Sequence, residues 1–202
     1  MLQKEIHPFE PYIPENATKL IIGTIPPPRF AEKKLSTNDV NFYYGSEDNN
    51  FWNILGEITK IDFKKENSIQ EIEKRQNFLN DNGIGICDII LKTNRKNSNS
   101  ALDIDLENIE HLNIIHEILI KYPKIDTLLY TSKFVKTQMT QLLKHTYSKE
   151  ICHQSTEDKK KKSLIIDKKE YSVVILYSPS RNANRRVSTE ERKEQYKKYF
   201  NL

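Results

Sequence analysis

Short apolar runs alternate along this chain with segments of helical periodicity, the pattern of an α/β protein. Residues 19–25 (KLIIGTI) read as a buried strand, halted at once by the Gly/Pro-stiffened stretch 23–30 (GTIPPPRF). Residues 51–58 place Phe51, Trp52, Leu55 and Ile58 on one side of a helix, with Asp48 or Asn49 as its natural N-cap. A second helix over 69–79 carries Ile69, Ile72, Gln76 and Leu79 at the same period and ends at Asn82-Gly83. Residues 84–91 (IGICDIIL) give a second buried strand, in which Asp88 is either hydrogen-bonded to a neighbouring loop or turned into a site.

Further along, 105–122 predicts a long helix on the stripe Leu106, Ile109, Leu112, Ile115, Ile118 and Leu119, stopped by Pro123. Residues 125–131 form a third strand and 133–147 another helix, with Phe134, Met139, Leu142 and Leu143 facing inward. Residues 164–166 and 171–177 (YSVVILY) resemble a hairpin, and Ser188-Thr189-Glu190-Glu191 is a capping box that opens the last helix. This order predicts a short, mostly parallel sheet covered on both faces, within a single domain spanning 1–202.

Three stretches lack periodicity. Residues 7–14 (HPFEPYIP) are too Pro-rich for a helix or central strand and are expected to wrap the domain in extended form. The polar connection 92–103 is either a solvated loop or a backbone-binding loop presenting Arg95 and Lys96. The charge run 157–162 (EDKKKK) reads as an exposed turn or insertion.

Composition narrows the classes. With 37% hydrophobic and 30% charged residues the chain reads as soluble and globular, and no apolar run approaches a membrane span. The polar start lacks a signal-peptide core, so a cytoplasmic monomer is the expectation. Two cysteines, Cys87 and Cys152, cannot build a disulfide framework or a zinc site alone. His7, His111, His116, His145 and His153 are scattered without ligand spacing and read as structural or surface residues; no metal or organic cofactor is implied. A net charge of +4 and a pI of about 8.8 are compatible with a polyanionic partner.

Ligands of open α/β sheets bind beyond the carboxyl ends of the strands. The loops after the first strand (23–30) and after the last (178–186, SPSRNANRR) should share that rim, with 42–52 (FYYGSEDNNFW) close by. The last loop offers the hydroxyls of Ser178 and Ser180, the amides of Asn182 and Asn184, and Arg181, Arg185 and Arg186: a phosphate-binding set, or else a turn with solvated arginines. The stretch 42–52 contains the only Trp, three consecutive aromatics, and Gly45 followed by polar residues. Such aromatics beside amides suit a flat polar ligand such as a nucleobase; the alternative is that Phe51 and Trp52 are core anchors.

In order and spacing, GTIPPPRF, FYYGSEDNNFW, GIGICDIIL and LYSPSRNAN resemble the uracil-DNA glycosylase superfamily, and within it the hypoxanthine-DNA glycosylase and mismatch-type branch. The match runs from about Leu20 to Asn184. This resemblance implies an α/β/α sandwich around a four-stranded, mostly parallel sheet, and hydrolysis of the N-glycosidic bond of a deaminated or damaged base in DNA. It implies that the backbone of Gly23, Thr24 and Ile25 contacts the base edge, that Tyr44 stacks on the base beside Gly45, and that Asn49 is the polar catalytic residue. Ser178, the second catalytic candidate, stands where many members have a His, while Arg29, Ser180, Arg181, Asn182, Asn184 and Arg185 would hold DNA. The first motif lacks the water-activating Asp or Asn of many members, its place being taken by Ile25, and Ser46-Glu47-Asp48 replaces a common H-P-R. A non-catalytic nucleic-acid or nucleotide-binding relative on the same fold, and an enzyme acting on free nucleosides or nucleotides, are the other readings.

Overall fold

The computed structural model describes residues 4–97, 100–146, 154–155, 161–181 and 187–202. Its central sheet begins with β2 (Lys19–Gly23), after a two-residue strand β1 (Glu5–Ile6) in the N-terminal wrap. Helices α1 (Pro28–Ala31), α2 (Phe51–Thr59) and α3 (Ile69–Asp81) follow, then β3 (Ile84–Asp88) and β4 (Ile90–Arg95). A 3₁₀ turn at Asp103–Asp105 leads into β5 (Leu106–His111), a π-helical turn (Ile115–Leu119), β6 (Thr127–Tyr130) and α4 (Lys133–Thr146). Strands β7 (Gln154–Ser155), β8 (Lys161–Ile166) and β9 (Lys169–Ile175) precede α5 (Thr189–Phe200).

The four strands expected to run parallel do so, in the order β3-β2-β6-β9. The sheet nevertheless has six strands, because β8 and β7 extend it antiparallel beyond β9, and β1-β4-β5 form a separate three-stranded antiparallel sheet. The hairpin arm expected over 164–166 is β8, which starts earlier, in the charged residues Lys161 and Lys162, and β7 adds a two-residue edge beyond it; polar stretches of this kind give no apolar signal. The rest of that charge run, 157–160, lies outside the described residues.

Side chains of alternate residues divide the core into two faces. Leu20, Ile22, Leu128, Tyr130 and Val173 pack with Ile115, Ile118, Met139 and Leu143 on one side. Ile21, Ile86, Leu129 and Val174 pack on the other with Phe51, Trp52, Phe78, Tyr196 and Phe200, from α2, α3 and α5. Helices therefore cover both faces. The capping box at Ser188 is formed on both sides, with the Ser188 hydroxyl accepting from the Glu191 N–H and the Glu191 carboxylate accepting from the Ser188 N–H.

Two expected elements are corrected. Residues 105–122 are not one helix: the first half is β5, and only the second half turns helically. Between the pairs Lys92↔Glu110 and Asn94↔Glu107 β5 contains one residue more than β4, and Asn108 there takes a left-handed φ of 50°. This bulge stretches the strand's period from two to three, so Leu106, Ile109 and Leu112 imitate a helix stripe. The inward face of α3 is also different, since Ile69 is 70% exposed whereas Glu71 and Arg75 are buried. Arg75 bonds the Glu71 carboxylate at 2.8 Å and the Lys64 carbonyl at 2.7 Å, beneath the Trp52 and Phe63 rings. A buried ion pair has no place in a hydrophobic pattern.

The predicted strand over 84–91 is broken after Asp88, where the chain passes from β3 into β4. The wrap is extended as expected: β1 pairs with β4, and Tyr12 exchanges backbone hydrogen bonds with Ile86 on the free edge of β3.

Candidate active site

Gly23 ends β2 directly beside Asp88 at the end of β3. A Cβ at Gly23 would lie 2.1 Å from Asp88 Oδ1 and 2.4 Å from the Tyr44 hydroxyl oxygen. Two polar atoms from distant segments therefore meet over the one residue that has no side chain. Tyr44 is held there at both ends: its hydroxyl donates to Thr131 Oγ1 at 3.1 Å, and its ring stacks on Phe51 with centroids 4.5 Å apart. Its φ of 55° is left-handed, a rare state for a large side chain that the tight turn at 40–45 imposes. Gly45 closes that turn, since a Cβ there would lie 1.9 Å from the Val40 carbonyl oxygen.

From Gly23 the chain runs along the start of β4. The Gly23 and Thr24 carbonyls accept from Ile89 and Ile90 N–H at 2.9 and 3.2 Å, and Ile25 is half-buried against the core. Among the described residues the N–H groups of Thr24 and Ile25 have no acceptor. Arg95 braces this loop from below: it pairs with Glu5 at 2.6 Å and donates to the Pro26 carbonyl at 3.1 Å. Neither expectation for 92–103 describes it, because Arg95 is buried. Asp103 lies against Thr24; burial raises its carboxyl above the ordinary range, partly offset by the Thr24 hydroxyl and the Arg95 charge.

Asp88 is both hydrogen-bonded and turned toward this loop. While Oδ1 faces Gly23, Oδ2 binds His7 Nε2 at 2.8 Å, with only 5% and 8% of the two side chains exposed. The His7 ring stacks on Tyr43, and Nδ1 lies 2.8 Å from the Phe9 carbonyl oxygen. Burial alone would lower the pKa of His7, but the Asp88 carboxylate outweighs it and the net shift is upward from 6.5. A raised folded-state value means that this pair's stabilisation is fully present below about pH 6.5 and is lost as pH rises through the folded pKa. In Asp88→Asn the desolvation remains while the Asp88 attraction goes, leaving only the Phe9 hydrogen bond and Glu5 to raise it, so the His7 midpoint should fall relative to wild type. Proton NMR titration of His7 measures this, and an unchanged midpoint in the variant would remove Asp88 as the cause.

The aromatic stretch and the last loop are sewn together. Asn49 and Ser180 form an antiparallel bridge, the Asn50 N–H donates to the Pro179 carbonyl at 3.0 Å, and the Arg181 N–H donates to Asp48 O at 3.4 Å. The N-cap of α2 is Asn50, which makes no side-chain cap bond, rather than Asp48 or Asn49 as expected; Asn49 Oδ1 instead accepts from the Phe51 N–H at 2.9 Å, an Asx-turn just before the helix. The amide orientation is thereby fixed, leaving two Nδ2 hydrogens and one Oδ1 lone pair for other partners. Ser178 Oγ accepts from the Ser180 N–H at 3.3 Å and shapes the turn after β9.

Arg29 is anchored in the loop through Nε and Nη2. It binds both carboxylate oxygens of the buried Asp39, at 2.6 and 2.8 Å, and donates to Ser46 Oγ at 2.9 Å. Asp39 also accepts from the Ser36 and Glu47 N–H groups. Burial opposes the Asp39 charge, but Arg29 and these N–H donors hold its pKa below the usual carboxylate value.

Of the residues expected at the site, Gly23, Thr24 and Tyr44 gather at one end of the parallel strands, and Asn49, Ser178, Ser180 and Arg181 gather along the adjoining seam. Asn182, Asn184 and Arg185 lie outside the described residues. Sequence reasoning read His7 as a structural or surface residue and did not single out Thr131. The one legible sign of His7 was Asp88 itself, a carboxylate within an apolar run that needs a buried donor. Among the described residues no group of three or more His, Cys, Asp or Glu could hold a metal, and no helix is long and apolar enough to cross a membrane.

This sheet order, with helices packed on both faces, defines an α/β protein of layered α/β/α architecture. The solution NMR structure of a Methanosarcina acetivorans protein, described as a candidate uracil DNA glycosylase, superposes with a TM-score of 0.60 at 21% identity over 98% of this chain and 97% of that one. In sequence, the chain is 29% identical over 129 residues to the hypoxanthine DNA glycosylase of Methanosarcina barkeri (strain Fusaro / DSM 804), covering 62% of this chain and 70% of the relative. No family model matches the sequence. The chain is thus similar in sequence to a hypoxanthine DNA glycosylase and shares the fold of that solution structure.

Proposed function

We propose that this chain is a monofunctional DNA glycosylase, hydrolysing the N-glycosidic bond of uracil or hypoxanthine flipped out of DNA. The observation that carries the reading is the convergence over Gly23 of the Tyr44 hydroxyl and Asp88 Oδ1, beside the seam that holds Asn49. A planar lactam base has a face for the Tyr44 ring and an N–H for a carboxylate, and its carbonyl oxygens match the open N–H groups of Thr24 and Ile25. The relative from Methanosarcina barkeri, a hypoxanthine DNA glycosylase, supports the same class.

Cleavage passes through an oxocarbenium-like sugar, so the main demand is stabilisation of the departing base anion by fixed donors. The Thr24 and Ile25 N–H groups and Asn49 Nδ2 meet that demand. The remaining Asn49 Oδ1 lone pair orients a water toward the anomeric carbon, without a strong general base. Ser178 and Ser180 keep the seam in shape, and Arg181 holds the duplex while the nucleotide is extruded, a step that costs a few kcal/mol.

A panel of duplexes containing uracil, hypoxanthine, xanthine or a mismatch, assayed for abasic sites, tests the reading. Abasic product from uracil or hypoxanthine is expected. Tight, salt-sensitive binding without cleavage would instead identify a non-catalytic nucleic-acid binder, and competition by mononucleotides regardless of duplex length an enzyme of free nucleotides.

A further inference from the structure

Asp48 interrupts what would otherwise be a cationic rim. Its carboxylate lies 3.7 Å from Arg29 Nη2 on one side and 3.7 Å from Arg181 Nη1 on the other, and its side chain is 65% exposed. Both contacts are longer than charge-assisted hydrogen bonds, and exposed ion pairs of this kind are weak. A third cation lies below, where Lys65 Nζ donates to the Glu47 carbonyl at 2.6 Å. Burial lowers the Lys65 pKa, and the nearby Arg181 charge lowers it further.

We propose that Asp48 occupies the seat of a DNA backbone phosphate, and that in the complex this phosphate displaces its carboxylate from between Arg29 and Arg181. The proposal rests on the DNA-glycosylase reading above. The seat adjoins the reacting centre, since Arg181 follows Ser180, the residue paired with Asn49. It therefore receives a phosphate flanking the extruded nucleotide.

The local charges explain why a carboxylate there matters. Arg29, Lys65 and Arg181 are balanced by Asp39, Glu47 and Asp48; Asp39 is buried under Arg29, and Glu47 faces Asn38 at 3.4 Å. Of the three carboxylates, Asp48 alone touches both arginines and is largely exposed. With it in place the rim is neutral and ordinary duplex is held weakly. A nucleotide that can also enter the base cup supplies the binding that displaces it, so Asp48 acts as a filter against undamaged DNA. Asp48 is fixed through its backbone, with its N–H donating to Ser46 Oγ at 3.2 Å and its carbonyl accepting from Arg181, so neutralising the side chain leaves the turn intact.

The test is fluorescence anisotropy with a 20-base-pair undamaged duplex, from about 50 to 200 mM salt. Asp48→Asn should bind about fivefold more tightly at the low-salt end, the effect of removing one like charge about 4 Å from a phosphate in water. The slope of log K against log salt should steepen by about 0.9, one additional phosphate contact. Asp48→Ser should behave alike, and Arg181→Gln in the Asp48→Asn background should abolish most of the gain. Unchanged or weaker binding in both Asp48 variants, with urea midpoints like wild type, would overturn the phosphate seat while leaving the glycosylase reading untouched. Absence of duplex binding by the wild type and every variant would overturn both.

Discussion

Replacing Asn49 by Ala or by Ser should lower base excision about 10²–10³-fold in single-turnover assays, the loss typical of removing one fixed donor from a developing anion. Duplex binding should persist, because the bridge to Ser180 is made by the backbone. The two substitutions separate the two roles of this side chain. Asn49 Oδ1 holds the Phe51 N–H in an Asx-turn, and Ala loses that bond at a cost of about 1 kcal/mol of stability. Ser can make the same bond with its hydroxyl but has no amide. If both variants are equally inactive while only Ala melts earlier, the amide does the chemistry. If Ser restores activity, Asn49 serves only the turn and the mechanism is wrong.

Gly23→Ala is the second large effect. The new methyl would lie 2.1 Å from Asp88 Oδ1 and 2.4 Å from the Tyr44 hydroxyl, well inside contact distance. Neither neighbour yields easily: Asp88 is held through Oδ2 by His7, and the Tyr44 hydroxyl by Thr131. Overpacking of this kind costs about 1–3 kcal/mol of stability. Displacing the base cup by about 1 Å should slow excision about 10²-fold. Denaturant unfolding and single-turnover rates measure the two effects. Wild-type behaviour in both would mean that Asp88 and Tyr44 do not meet over Gly23 in solution.

The parallel core was legible because β2, β3, β6 and β9 are apolar runs ended by Gly, Asp or polar loops, and α5 because its capping box is local. What escaped the pattern shares a cause: the signal lay in pairing rather than in periodicity. The bulge at Asn108 gave β5 a helical spacing, and the Glu71–Arg75 pair put charge on the buried face of α3. Lysines at the start of β8 hid the length of the hairpin arm, which was expected only over 164–166.

The site divides in the same way. Gly23, Tyr44 and Asn49 stand in motifs that name their neighbourhoods, whereas the helix start was misplaced by one or two residues, since the N-cap is Asn50 and Asn49 makes an Asx-turn before it. The His7–Asp88 bond spans 81 residues of sequence, and the placement of Asp48 between Arg29 and Arg181 depends on a seam joining 48–50 to 179–181. No local pattern announces either. Gly45, expected beside the stacked base, instead closes its own turn, against the Val40 carbonyl.

The central claim is that this site breaks an N-glycosidic bond with water. A uracil- or hypoxanthine-containing duplex, incubated with excess protein in ¹⁸O-water and resolved by mass spectrometry, tests it most directly. The account predicts unlabelled free base and an intact strand whose abasic sugar carries one ¹⁸O. Recovery of the intact substrate from both duplexes, with the protein folded and bound to them, would contradict it.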